Sequence, residues 1–253
     1  MTGLTARGVV RAEWTKLLSL RSTWAVLGAT AVLTVAFGAL VGWNQARAGD
    51  APTVAGAFLP IDLFSLVLGV FGVLLMTGEF SSGLVRATFA AVPRRLPVLW
   101  AKAVTLAAAT VPVLAVTCIV ALLANQAFAA GDRITLADPG VLRATAGAAA
   151  APLAMGLVGL AIGTLVRHTA LAIALFVATL LVLPAILPAA LPDDTAGDVL
   201  RFVPVAASQA MYAVGPDGGP FDLLAPGQAA LVLAGWVAVL LAAAGFVLRR
   251  RDA

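Results

Sequence analysis

Basic residues in this chain fall almost wholly at alternate ends of six long apolar stretches between residues 22 and 248. A helix needs about 20 predominantly apolar residues to cross a hydrocarbon layer, where no water satisfies stray backbone groups. Six segments meet that length: Ser22 to Trp43, Ala57 to Met76, Val98 to Ala124, Leu142 to Val166, Ala170 to Ala190 and Gln228 to Leu248. Hydrophobic residues make up 62% of the chain and charged residues 11%, against roughly 45–50% and about 25% in a soluble domain. Lipid is therefore the expected solvent. The expected fold is all-α, a single six-span membrane domain over residues 1–253.

The distribution of cations predicts the orientation, because Lys and Arg in short flanks resist translocation. With cytoplasmic termini, the inner side holds Arg7, Arg11, Lys16, Arg21, Arg86, Arg94, Arg95, Lys102, Arg167, Arg249, Arg250 and Arg251. The outer side holds only Arg47, Arg133, Arg143 and Arg201, and the inner acids are Glu13, Glu79 and Asp252 alone. The expectation is a multi-pass protein of the cell membrane with both termini cytoplasmic. The pI near 10.2 then needs no nucleic-acid partner, since the charge is spread over membrane flanks. Ala46-Arg47-Ala48 resembles a signal-peptidase site, but the preceding apolar run exceeds the usual 7–15 residues of a signal core and reads as a retained span. Cys118 lies inside the third stretch, has no partner for an intrachain disulfide, and reads as a small packing residue.

Residues 1–21 carry Val10, Trp14, Leu17 and Leu18 at spacings of three and four, with Arg7, Arg11, Thr15 and Ser19 elsewhere. The pattern predicts an interfacial helix, Trp14 at headgroup depth, with Arg11 and Lys16 among the cations facing an anionic leaflet. Residues 78–97 form the only substantial inner loop. Phe80, Leu84, Val85, Phe89 and Val92 fall on one helical face there, and Glu79, Ser82 and Arg86 on another. Pro93 cannot continue that helix. The segment is thus a short two-faced helix, either a membrane-resting connector or a lever on which a soluble partner pushes.

The run Glu79-x-x-x-Gly83, then Thr88, Pro93, Arg94-Arg95 and Lys102, resembles the loop after the second span of type-two ATP-binding-cassette (ABC) transporter permeases. Arg11-Ala12-Glu13-Trp14-Thr15-Lys16-Leu17 before Ser22-Thr23-Trp24 is similar to the opening of actinobacterial members, as Arg250 to Ala253 is to their ending. Val203 to Ala210 resembles a stretch before the last span, and Leu84 stands where many members carry threonine. The resemblance implies that Gly78 to Val92 is a coupling helix docking on a separate ABC ATPase subunit, which holds the ATP and Mg, and that residues 1–21 form the connecting helix. Glu79 and Arg86 would supply charge for partner contacts, and Phe80, Leu84 and Phe89 would anchor the helix around Gly83. A second permease copy would complete the exporter.

No phosphate-binding loop exists in the sequence, since the glycine-rich Gly215 to Gly219 lacks the lysine. His168 is the only histidine and reads as solvated or helix-capping, so no catalytic or metal constellation is expected. Lys102 and Asp62 are the charges nearest the bilayer interior, and both are expected to reach an interface from span ends. Their scarcity argues against ion coupling and for a lipophilic or bulky substrate. Gly38-x-x-x-Gly42, Gly147-x-x-x-Ala151 and Gly159-x-x-x-Gly163 predict packing faces, within the bundle or across a dimer. Pro112, Pro184 and Pro188 predict kinks. In the long outer loop, 191–227, the pattern over Asp198 to Val214 predicts one short helix dipping toward the membrane, similar to an outer gate of the family. The other readings are a non-transporting membrane sensor or immunity protein and an ion-coupled secondary carrier.

Overall fold

Six helices are long and apolar enough to cross a membrane, and they lie within a residue or a few of the predicted stretches. The computed structural model describes residues 5–92, 95–214 and 223–250, apart from the side chains of Arg86, Phe89, Ala91, Asp193 and Asp194. A short helix α1 (Ala6–Ser19) precedes the first span α2 (Arg21–Ala48). The second span is α3 (Val54–Phe58) followed by α4 (Ile61–Ser81), and it leads through α5 (Leu84–Ala91) into the third, α6 (Leu96–Gln126). The fourth span is α7 (Val141–Val166). The fifth runs from α8 (Thr169–Val177) through a π turn at Ala178–Val182 into α9 (Leu183–Ala190). Two short helices, α10 (Asp193–Leu200) and α11 (Pro204–Tyr212), precede the last span α12 (Pro226–Arg250). No strand occurs among the described residues.

Breaks in these helices follow from single residues. Pro60 starts α4 and separates it from α3. Pro184 has no N–H to donate, and the widened π turn immediately precedes its helix. Pro112 and Pro152 are carried inside α6 and α7 without ending them.

Glycine packing sets the centre of the bundle. α4 and α7 run so close that a methyl group on Gly159 would overlap the Gly69 carbonyl, and one on Gly72 the Gly156 carbonyl. Gly42 meets the backbone of Asn125 on α6 in the same way, and Asn125 Nδ2 donates to the Gly38 carbonyl at 3.0 Å. Gly147 abuts Met211 of α11. The small-residue stripes are therefore packing faces against the chain's own helices. Phe64, Leu68, Met155, Leu160 and Phe176 fill the space around them and are all fully buried.

Two loop expectations are corrected in detail. Gly78 to Val92 is not one helix: α4 continues to Ser81, and Gly83, at φ 73°, turns the chain before α5 begins. Glycine adopts that left-handed conformation without steric cost. The faces shift accordingly, with Glu79 and Val85 buried and Leu84 exposed. Asp198 to Val214 is likewise two elements, because Pro204 opens a new helix after the turn at Arg201 to Val203. His168 does cap α8, its Nδ1 accepting from the Leu171 N–H at 3.3 Å.

Replacing Gly159 with leucine will force α4 and α7 apart and cost about 1–3 kcal/mol or more. Thermal unfolding in detergent should show a lowered midpoint. Gly28→Ala, where an added methyl meets nothing within 4 Å, should leave the midpoint unchanged or raise it.

Candidate functional site

Four charged side chains from three helices converge at the end of the bundle that carries α1 and α5. Thr5 caps α1, its side chain accepting from Gly8 N–H. Val9, Glu13 and Leu17, spaced by four, form the buried face of that helix. The angle between α1 and α2 is held by Thr23 Oγ1, which donates to the Leu17 carbonyl at 2.8 Å, and Trp24 Nε1, which donates to the Leu18 carbonyl at 2.9 Å. This holds Glu13 against the bundle.

Lys102, near the start of α6, is only 5% exposed. Its Nζ donates to Glu13 Oε2 and Glu79 Oε1, both at 2.7 Å. Lys16 Nζ completes the cluster, at 2.8 Å from Glu13 Oε1 and 3.1 Å from Glu79 Oε1, and reaches Thr88 Oγ1 of α5 at 3.4 Å. Two ammonium and two carboxylate groups sum to no net charge. Such charge-assisted hydrogen bonds are roughly twice as strong as neutral ones, and burial makes the loss of any member expensive. Burial drives the Lys16 ammonium toward its neutral form, but the hydrogen bonds and charges of Glu13 and Glu79 outweigh this and hold its pKa above the ordinary 10.5. The cluster joins α1, α4, α5 and α6 at one point.

The sequence-derived site residues divide around it. Glu79 faces Lys102 and Lys16, so its charge is neutralised within the chain instead of being turned to a partner. Phe80 is half-buried, with the Arg167 guanidinium 5.1 Å above its ring. Gly83 and Leu84 are exposed, and Arg86 and Phe89 have side chains outside the described residues. Arg11 is exposed, while Trp14 and Lys16 are half-buried. Pro93, Arg94 and Arg251 to Ala253 also lie outside the described residues. Glu13 was not expected in the cluster. Its signal is visible in retrospect: Glu13 and Glu79 are the only described carboxylates at an end rich in cations.

At the opposite end Asp62 is partly buried and does not extend freely to an interface. Its Oδ2 accepts from Gln209 Nε2 at 2.7 Å and its Oδ1 from the Tyr212 hydroxyl at 2.9 Å. Burial, and then the Asp62 carboxylate, push the Tyr212 phenol above its usual range, so it remains a donor. Arg143 donates to the carbonyls of Met211 and Ala213 at 3.0 and 2.7 Å, and Trp236 to that of Phe202 at 2.9 Å. The α10–α11 segment is thereby tied to α4, α7 and α12. No group of three or more His, Cys, Asp or Glu able to hold a metal occurs among the described residues.

No protein-family model matches this chain, and no curated protein matches it.

Lys102→Met leaves two buried carboxylates around a missing cation and should destabilise the protein by about 3–5 kcal/mol. Adding Glu13→Gln and Glu79→Gln should recover much of that loss in the same unfolding measurement. The raised Lys16 pKa means that its stabilisation is complete below pH 10.5 and is lost as pH rises through the higher folded value. An alkaline unfolding titration should show that decline in the wild type and lack it in Lys16→Met.

Proposed function

We propose that this chain is the membrane-spanning permease subunit of an ATP-driven ABC exporter, moving a lipophilic or bulky substrate outward. The observation that carries this reading is the charged cluster, which bonds α5 through Thr88 and Lys16 to α1 and to the second and third spans. A soluble ATPase can drive spans only through a stiff element at the water interface, and coupling needs a physically contiguous path. α5 is such an element. Leu84, 47% exposed at its start, is a docking anchor for the ATPase subunit. Glu79 and Lys102 carry the load inward.

ATP and Mg belong to that partner, because this sequence has no phosphate-binding loop. The excess of cations at the α1 and α5 end favours a cytoplasmic position for it, and a second permease copy completes the pathway. The sensor or immunity reading gives no role to an α5 tied by Thr88 to Lys16 and, through it, to the charged cluster. The carrier reading meets a further difficulty: the buried lysine of the third span is already neutralised by two carboxylates.

Purification of the full chain from its native membrane should bring down an ATPase subunit, and Leu84→Asp should abolish that association while the thermal midpoint holds. Recovery of the chain without any ATPase in gentle detergent would overturn the reading. Cys118 is buried, so introduced cysteines report topology against a silent background. An impermeant thiol reagent outside intact cells should label Asp138→Cys and miss Leu84→Cys.

A further inference from the structure

A cavity of about 420 Å³ lies between the α1–α2 junction and α4. Its size falls within the range of small-molecule sites, about 300–1,000 Å³. Leu17, Val26, Phe71 and Leu75 give it apolar walls. Leu74, 43% exposed, borders it seven residues before Ser81, where α4 ends. At 1.5 Å per residue that is about 10 Å in from the end of the helix, so the cavity opens on the flank of a span at the depth of lipid tails. Gly78 keeps the space open. Gly69 and Gly72 are required by the approach of α7, but a Cβ on Gly78 meets nothing within 4 Å. Glycine inside a helix is destabilising relative to alanine, and close packing does not explain this one.

We propose that this cavity holds an acyl chain of a membrane lipid, with the headgroup left outside. The charged cluster forms the remaining wall. Its two ammoniums and two carboxylates pair with one another at 2.7–3.1 Å and carry no net charge, so the wall favours a head of neither sign. Glu79 Oε2 is buried and presents no surface to the cavity. A charged head drawn inside would lose its hydration without gaining a partner. Water needs two to four polar partners to occupy such a space, and apolar cavities stay dry and take up hydrocarbon instead. Lipid is the solvent at the mouth beside Leu74, so its tails are the hydrocarbon at hand. A chain lying along Val26, Phe71 and Leu75 braces α2 against α4.

Binding rests on the membrane-embedded fold and not on the ATPase association, so it is measured on the full chain alone in nanodiscs. Phosphatidylcholine with a photoreactive diazirine on its acyl chain should label Phe71 and Leu75, read by mass spectrometry of the digested protein. Leu33, 50% exposed on α2, is the control for ordinary lipid contact. Gly78→Leu grows into the cavity from α4 and Val26→Trp from α2, so the test stands if either variant fails to fold. Each should cut the labelling of Phe71 and Leu75 relative to Leu33 by about tenfold or more, the effect of losing about two buried methylenes. Because the head stays outside, phosphatidylethanolamine and phosphatidylglycerol bearing the same chain should label those residues within about twofold of the choline lipid. A larger preference for one headgroup overturns the proposal. So does labelling of Leu33 without Phe71 or Leu75 in the wild type, or labelling of Phe71 and Leu75 that neither variant reduces.

Discussion

An ammonium group buried at the start of a membrane span cannot stand alone, and Lys102 dictates much of what surrounds it. Moving an isolated charge into a low-dielectric interior costs several kcal/mol even after relaxation. One carboxylate within 3 Å offsets that cost, but Lys102 has two, Glu13 and Glu79. The second carboxylate in turn requires Lys16. The position of α1 is therefore specified by charge as well as by the burial of Val9 and Leu17. An all-apolar contact would have left that helix free to slide along the bundle, whereas four charges at 2.7–3.1 Å permit one register.

One helix, α4, takes part in fixed points at both ends and in the middle of the molecule. Its last turn supplies Glu79 to the charged cluster, its middle supplies Gly69 and Gly72 to the close approach with α7, and its first turn supplies Asp62 to Gln209 and Tyr212. The pairing with α7 leaves no room for either backbone to move independently, since carbonyls fill the sites where side chains would stand. Close-packed interiors are bistable more than deformable. Under the proposed function, a displacement of α5 would be carried by α4 and α7 as one body toward α11, which Asp62 and Arg143 hold at the far end. The two ends differ in chemistry. A closed cluster of four charges holds one, and a carboxylate and a guanidinium, each hydrogen-bonded to neutral partners, hold the other.

Span number and span edges were legible because a 20-residue apolar run has few other outcomes in a chain this poor in charge. The helix content of α1 was legible from its period, but its buried face was read one position away, on Val10 and Trp14, because burial of a glutamate contradicts any hydropathy rule. Glu13 is buried only because Lys102 waits 89 positions along the chain, and no local window holds both. The Gly83 break was visible as a glycine, but its sense required the backbone: with φ at 73° the helix stops, and Leu84 turns outward. Helical spacing counted through that break placed Leu84 and Val85 on one face, whereas Val85 is buried and Leu84 is exposed. The glycine stripes were legible as packing faces, yet their partners were not, since small residues specify a close approach without naming the helix that makes it.

Neutralisation inside the cluster has an outward consequence. Glu13 and Glu79 are the only described carboxylates at the α1 and α5 end, and both face inward toward lysines. What that end exposes is cationic: Arg7, Arg11, Arg21, Arg249 and Arg250 are all at the surface. Cations that flank spans suit lipid headgroups, since a basic residue near an anionic leaflet gains about 1 kcal/mol. α5 offers a different surface, with an exposed leucine, Leu84, beside the turn at Gly83. Under the proposed function, the subunit that seats on α5 would bring an apolar recess for Leu84 and carboxylates for the exposed arginines of that end. Complementary charge of that kind raises the rate of encounter and selects the partner, while the apolar anchor supplies the affinity.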